Sequence, residues 1–384
     1  MQQIHIETGI AKPVVDQFGM QQKRHADAIR PNGAECKAGQ ANRRIPLSMA
    51  VDLAGRHREK EAVIANCHPP EASPKRIRPI RVPAIAPCYR ERKPVMTIKP
   101  LRSALYMPAS NPRALEKAKT LDVDAVIFDL EDAIAPDLKT QARDKACEAV
   151  RAGGYGNRQV AIRINGFATP WGEDDLDAAV AVGPDAILVP KITRSEDIDI
   201  LSQTIAAGSS GRTRLWVMIE TPMAILNIAS IAAASQTPGS RLSCFMIGTN
   251  DLEKETRARL RPGRAAMRAW LSQCVCAARA YGLSILDGVY NDFADVEGFR
   301  AECDQGLELG MDGKSLIHPG QIEICNQVFS PTDEEVAWAR RIVGEFDRPE
   351  NISVNVMAIE GKMVERLHAD LARQTIAIAE AIGR

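Results

Sequence analysis

From residue 102 onward, short apolar runs alternate with amphipathic stretches. The runs are SALYMP (103–108), AVIFDLED (125–132), QVAIRIN (159–165), AILVPK (186–191), LWVMIE (215–220), CFMIG (244–248), LSILDG (283–288) and KSLIH (314–318). They are too short to cross a membrane and too uniformly apolar for strands with one wet face. They therefore predict strands buried on both sides, as in parallel sheets. Between them lie PRALEKAKTL, LKTQARDKACEAVRAGG and RAAMRAWLSQCVCAARAYG, the last two closing on glycine as helices commonly do. Eight β units with intervening helices in roughly 220 residues is the count of a (β/α)8 TIM barrel. An open doubly wound α/β sheet is the alternative. It lacks its usual phosphate turn, because no G-x-G-x-x-G follows an early strand. Two further helical segments, about 332–346 and 360–383, exceed the barrel's needs and are expected to form a lid or an oligomer contact.

The first 95 residues have no sustained period. PPEASPKRIRPIRVPAIAPCYRERKP (69–94) carries prolines every few residues, which excludes helix and central strand. Residues 1–95 hold 17 Lys+Arg against 9 Asp+Glu and 10 of the 23 prolines, leaving 32 basic against 40 acidic residues in 96–384. The zero formal net charge of the 384-residue chain conceals this asymmetry. The expected organisation is a disordered or non-native basic extension at 1–95, a barrel at 96–330 and a helical segment at 331–384. Met96, which opens the regular pattern, is an alternative start. Nucleic-acid binding would have to rest on 1–95 alone and is not expected. No apolar run reaches the ~18 residues of a membrane span, and MQQIHIETGIAKPVVDQFGM lacks the build of a secretory signal. Nine cysteines at irregular spacing, with no C-x-x-C, read as reduced thiols of a cytoplasmic protein.

In a barrel, catalytic groups come from the carboxyl ends of the strands. Those ends carry Glu131, Asp132, Arg163, Asn165, Lys191, Glu220, Asn250, Asp251, Asp287 and His318. Acids outnumber bases there, as a bound cation would require. Glu220 and Asp251 close consecutive apolar runs, and hard divalent cations are held by one or two such carboxylates. Arg163 could equally bridge Glu131 or Asp132. Only His318 and His368 fall within 96–384, which argues against a His-rich transition-metal site. G-x-S-x-G and Walker A motifs are both absent. Lys191 could form a Schiff base, but an acidic surround would keep it protonated.

RSALYMPASNPRALEKA (102–118), VIFDLEDAIAPDLKTQAR (126–143), IRING (162–166), ILVPKI (187–192), MIETPMAILN (218–227), GTNDL (248–252), ILDGVYNDFAD (285–295) and GMDGKSLIHPGQI (310–322) together resemble the citrate lyase β-subunit and malyl-CoA lyase family of the HpcH/HpaI aldolase superfamily. The resemblance covers nearly all of 100–325 in the family's order and stops short of 1–95. It implies a modified (β/α)8 barrel, a homo-oligomer (trimer or hexamer), and one Mg²⁺ per site bound by Glu220 and Asp251. It places the carboxylate-gripping arginine on Arg163 and CoA-side contacts on Tyr106 and Lys117. Glu131 and Asp132 match the family's L-E-D and are expected to support the metal's water or Arg163. Many relatives end in G-x-M-I-D-x-P, whose Asp serves acid/base catalysis from a neighbouring subunit. This chain has GKMVERLHAD (361–370), which puts Glu365 there without the proline.

The activity implied is Mg²⁺-dependent, reversible carbon–carbon cleavage of a 3-hydroxyacyl-CoA such as malyl-CoA or citramalyl-CoA into acetyl-CoA or propionyl-CoA and a 2-oxo acid. Thioester hydrolysis at the same site is one alternative. Another is a β-subunit working only in a complex with an acyl-carrier partner.

Overall fold

The computed structural model describes residues 99–208 and 211–384. The expectations for 1–95, and for Met96 as a start, fall outside these residues.

Eight strands close a barrel in sequence order: β1 (Ser103–Pro108), β2 (Ala125–Asp129), β3 (Gln159–Arg163), β4 (Ala186–Val189), β5 (Arg214–Ile219), β6 (Leu242–Ile247), β7 (Ser284–Asp287) and β8 (Gly313–Leu316). Every neighbouring pair is parallel, and β1 joins β8. The (β/α)8 barrel read from the sequence is the fold. The helices between strands are α1 (Pro112–Ala118), α2 (Lys139–Ala152), α3 (Gly172–Val182), α4 (Ser195–Gly208), α5 (Pro222–Leu226), α6 (Ile228–Ala233), α7 (Thr249–Thr256), α8 (Arg268–Tyr281) and α9 (Val296–Leu309), with α10 (Ile322–Val328) following β8. Their ends carry local signals. Asn111 accepts from the N–H groups of Arg113 and Ala114 ahead of Pro112, and Thr221 does the same for Ala224 ahead of Pro222.

Strand residues alternate between two apolar environments, so the runs are apolar throughout. One set, including Leu105, Phe128, Ile162, Val217 and Phe245, packs outward against the helices. The other fills the barrel: Ala104, Ala125, Ala161 and Ala186 from β1–β4 with Trp216, Met218 and Met246 from β5 and β6. The small residues of one side make room for the large ones of the other, so the interior is packed up to the level of Tyr106. Apart from Ser315, the register partner of Ala104, the site's polar side chains lie above that layer.

Beyond α10 the chain forms α11 (Asp333–Phe346), an antiparallel hairpin of β9 (Val356–Ile359) and β10 (Lys362–Glu365), and α12 (Arg366–Ala381). Ile342, Phe346, Ile359, Val364 and Ala372 give this segment its own apolar cluster. The helix expected from 360 begins at Arg366. Glu360 and Gly361, with φ of 49° and 76°, turn the chain back between two short strands instead. Positive φ at both central positions is the signature of a two-residue hairpin loop. Among the described residues, no helix is long and apolar enough to cross a membrane.

Candidate active site

The inward parity of β2 and β3 sets the centre of the site. Asp129 follows Ala125 and Ile127 on the interior face, and Arg163 follows Ala161; the two are register partners on adjacent strands. The Arg163 guanidinium donates from Nε to Asp129 Oδ1 at 2.6 Å and from Nη2 to Oδ2 at 2.7 Å. Nη1 faces Glu131 Oε2 at 3.0 Å and Asp132 Oδ2 at 3.3 Å. The ring of Tyr106 lies beneath, 4.6 Å from the guanidinium carbon, with its hydroxyl on the sulfur of Met246. Burial works against the charge of Arg163, but Asp129 outweighs it and holds the guanidinium firmly protonated. Asp129 in turn stays below the usual carboxylate range despite burial, because of that charge and of the N–H groups of Glu131 and Ala133. Glu131 differs. Burial pushes it up to about 8, against the pull of Arg163 and with the help of Asp132 and Glu220.

The second group lies across the mouth. Glu220 follows β5 directly and is 1% exposed. Asp251 stands in the first turn of α7 rather than at a strand end. Lys191 links them. Its N–H donates to Glu220 Oε1 at 2.7 Å, and its Nζ lies 2.6 Å from Asp251 Oδ1 and 3.6 Å from Glu220 Oε1. Burial raises Glu220 to about 7, with Lys191 opposing and Asp251 adding. Lys191 is held above its ordinary value by Glu220 and Asp251 against the effect of burial. It remains an ammonium, which does not serve Schiff-base chemistry. Glu220 Oε2 is buried without a hydrogen-bond partner. A buried carboxylate oxygen so placed, with a second carboxylate beside it, suits a hard cation. Among the described residues, no group of three or more His, Cys, Asp or Glu side chains gathers as a metal site. Two carboxylates leave room for water and substrate, the habit of a small octahedral ion rather than of a closed structural site. Gly248 permits the arrangement, since a Cβ there would meet Glu220 Cβ at 2.4 Å and Oε2 at 2.7 Å.

The structure thus brings together Arg163, Glu131, Asp132, Tyr106, Glu220 and Asp251, joined by Asp129 and Lys191. Asp129 was not among the expected residues, although the period of two along AVIFD puts it on the inner face. The remaining strand-end and rim residues lie as follows. Tyr106 faces the barrel interior under Arg163. Asp287 follows the inward Leu286 and so points behind the barrel, where it pairs with Arg264 at 2.7 Å and Lys314 at 3.0 Å. Asn165 turns toward the helices and bonds Lys139 and Asp175. His318 accepts from Gly320 N–H and stacks on Phe293. Asn250 pairs with Asn291 on the rim. Lys117 is an exposed residue of α1. Glu365 ends β10, its N–H donating to His368 Nδ1 at 2.8 Å. Among the described residues, no hydrogen bond or ion pair joins it to Arg163, Glu220 or Asp251.

Comparison with known proteins gives the family. A (3S)-malyl-CoA thioesterase of Cereibacter sphaeroides is 48% identical over 284 residues, covering 74% of this chain and 96% of that protein. An L-malyl-CoA/beta-methylmalyl-CoA lyase from the same species is 32% identical over 316 residues, covering 76% of this chain and 98% of the relative. The solved structure of protein CitE from Mycobacterium tuberculosis, in complex with magnesium, acetoacetate and coenzyme A, matches with a TM-score of 0.58 at 28% identity, covering 73% of this chain and 98% of that one. The family model for HpcH/HpaI aldolase/citrate lyase matches residues 102–319, more than half of the chain. Carbon–carbon lyases are among the family's members. This chain belongs to the HpcH/HpaI aldolase/citrate lyase family.

Proposed function

We propose that this protein is a Mg²⁺-dependent lyase that reversibly splits a 3-hydroxyacyl-CoA of the malyl-CoA or citramalyl-CoA type into an acyl-CoA and a 2-oxo acid. The observation carrying this reading is the pairing, in one barrel mouth, of a guanidinium backed by Asp129 with the acids Glu220 and Asp251. Those two acids would hold the metal ion, whose Lewis acidity favours a developing carbonyl and the departing enolate.

The chain's own residues supply the rest. Asp129 occupies the Nε–Nη2 edge of Arg163, so the guanidinium meets substrate with its Nη1 end already oriented. Glu131, raised to about 8, is mostly neutral at neutral pH and gives way to a substrate carboxylate more readily than an ionised partner would. Tyr106 and the methionines beneath keep the floor dry, which strengthens the grip on the carboxylate. Fixing the carboxylate fixes which face of the adjacent hydroxyl carbon reacts. A proton carrier for the hydroxyl is still needed. We assign that part to Glu365 of a neighbouring copy in a homotrimer or hexamer. The reading is supported by exposed Met363, Leu367 and Leu371 around Glu365, which suit a covered surface. Light scattering on the purified protein tests the assembly.

A second reading has its own support. The 48% identical relatives are named for thioester hydrolysis, whereas the lyase stands at 32%. The two readings share the substrate and part at the products. Incubation of the protein with Mg²⁺ and malyl-CoA or citramalyl-CoA separates them. Cleavage yields a 2-oxo acid without a free thiol; hydrolysis yields free CoA thiol without the oxo acid. Both products should disappear on chelation and return when the ion is restored. Turnover of neither thioester, with or without an added acyl-carrier partner, would overturn the reading.

A further inference from the structure

Lys191 is one of four non-glycine residues with positive φ among the described residues, at 58°. A side chain in the left-handed region is disfavoured and persists only where the surroundings hold it. Here the turn after β4 points both of the residue's donors at the same pair of acids. The N–H reaches Glu220 Oε1 at 2.7 Å, while Nζ curls back to Asp251 Oδ1 at 2.6 Å and lies 3.6 Å from Glu220 Oε1.

We propose that Lys191 is the built-in counter-cation of the Glu220/Asp251 pair, its ammonium competing with the divalent ion for the same carboxylates and so setting the affinity for metal. Two acids, one of them 1% exposed, repel each other and lose hydration when brought together. The ammonium offsets both costs in the absence of metal. It occupies Asp251 Oδ1 and leaves Glu220 Oε2 unpartnered, so the pair is satisfied only in part. An ion that takes both acids shares the Asp251 carboxylate with the ammonium on Oδ1, and like charge sets the two cations against each other. The consequence is a site that is tolerable without metal and binds it reversibly rather than permanently. This inference rests on the metal reading above but not on which bond of the thioester is cut.

Metal binding measured without any thioester tests it. Mn²⁺, a spectroscopic stand-in for Mg²⁺, is titrated into the chelator-treated full chain and followed by electron paramagnetic resonance, with a thermal melt at each concentration. Lys191→Met keeps the aliphatic stem and removes the charge. It should bind Mn²⁺ roughly tenfold more tightly, the factor carried by one pKa unit of charge interaction. It should also melt lower than the parent without metal and show a larger rise in Tm on loading. Lys191→Arg should stay near the parent. Should the methionine variant be insoluble, Lys191→Gln serves the same purpose. An unchanged or weakened affinity in the neutral variants would overturn the counter-cation role while leaving the metal site standing. No binding to the parent protein at millimolar Mn²⁺ would overturn both.

Discussion

Asp129 and Arg163 face each other as register partners on β2 and β3, joined by two parallel hydrogen bonds of 2.6 and 2.7 Å in the barrel interior. The two side chains are 2% and 8% exposed. This is a buried pair in which each partner offsets the desolvation of the other, and it fixes the Arg163 guanidinium at the mouth.

Removing one partner of such a pair strands a charge. Asp129→Asn preserves shape but leaves Arg163 with only Glu131 and the more exposed Asp132 as acidic partners, and should cost about 3 kcal/mol of stability, read from the midpoint of urea unfolding. The guanidinium also loses its orientation, so KM for the thioester should rise together with a fall in kcat. An Asn variant as stable and as active as the parent would refute the anchoring role.

Gly248 presses directly on Glu220. Its φ of −103° is accessible to any residue, so Gly248→Ala is a steric probe without a backbone penalty. The added methyl would overlap Glu220 Cβ, which must move. A displacement near 1 Å at a reacting centre commonly costs about 10²-fold in rate. Gly248→Ala should therefore lower kcat by about two orders of magnitude and weaken Mn²⁺ binding, with its circular dichroism spectrum unchanged. Retention of full activity would mean that Glu220 does not work from its present position.

The barrel was legible because double burial makes each parallel strand a continuous apolar run, and all eight runs became strands. Site residues followed less directly, because position at a strand end does not give the direction of the side chain. Parity does. Counting by twos from Ala125 reaches Asp129, and from Trp216 reaches Glu220, whereas Asp287 follows the inward Leu286 and so faces α9. Asp251 lies past the strand, where the start of α7 sets its direction. Lys191 could not be placed from pattern at all, since its left-handed backbone is a tertiary constraint on a residue type that does not favour it. The hairpin before α12 was hidden for a similar reason: Glu360 is an unusual choice for a turn position with positive φ.

That last mismatch is itself testable. Glu360→Asn should stabilise the hairpin by roughly 0.5 kcal/mol, because Asn tolerates the left-handed region and is favoured in such loops. The lost ion pair with Arg341 is exposed on both sides and offsets little of this. Gly361→Ala, at φ of 76°, should destabilise by about 1 kcal/mol. Differential scanning calorimetry of the two variants should show Tm moving in opposite directions. Equal shifts of one sign would contradict the turn geometry.

Glu131 predicts a pH dependence with a definite sign. Burial raises it from 4.5 to about 8, so between those values the unfolded chain has released a proton that the folded chain retains. Folding takes up a proton across that window, and the stability associated with Glu131 declines as pH rises through it, then levels off above about 8. Glu131→Gln cannot titrate and fills the same space. Urea unfolding in the presence of a chelator, at several pH values from ~5 to ~8.5, should show the parent losing on the order of 2 kcal/mol more than the variant over the range. The discount from the full shift reflects the 15% of the side chain open to solvent. Activity should follow the opposite logic if Glu131 only yields its place to substrate. The variant then keeps kcat and loses the rise in KM expected at high pH, where an ionised Glu131 competes with the substrate carboxylate for Arg163. A parallel stability profile in parent and variant would mean that Glu131 is ionised at neutral pH and belongs to the permanent charge of the Arg163 cluster.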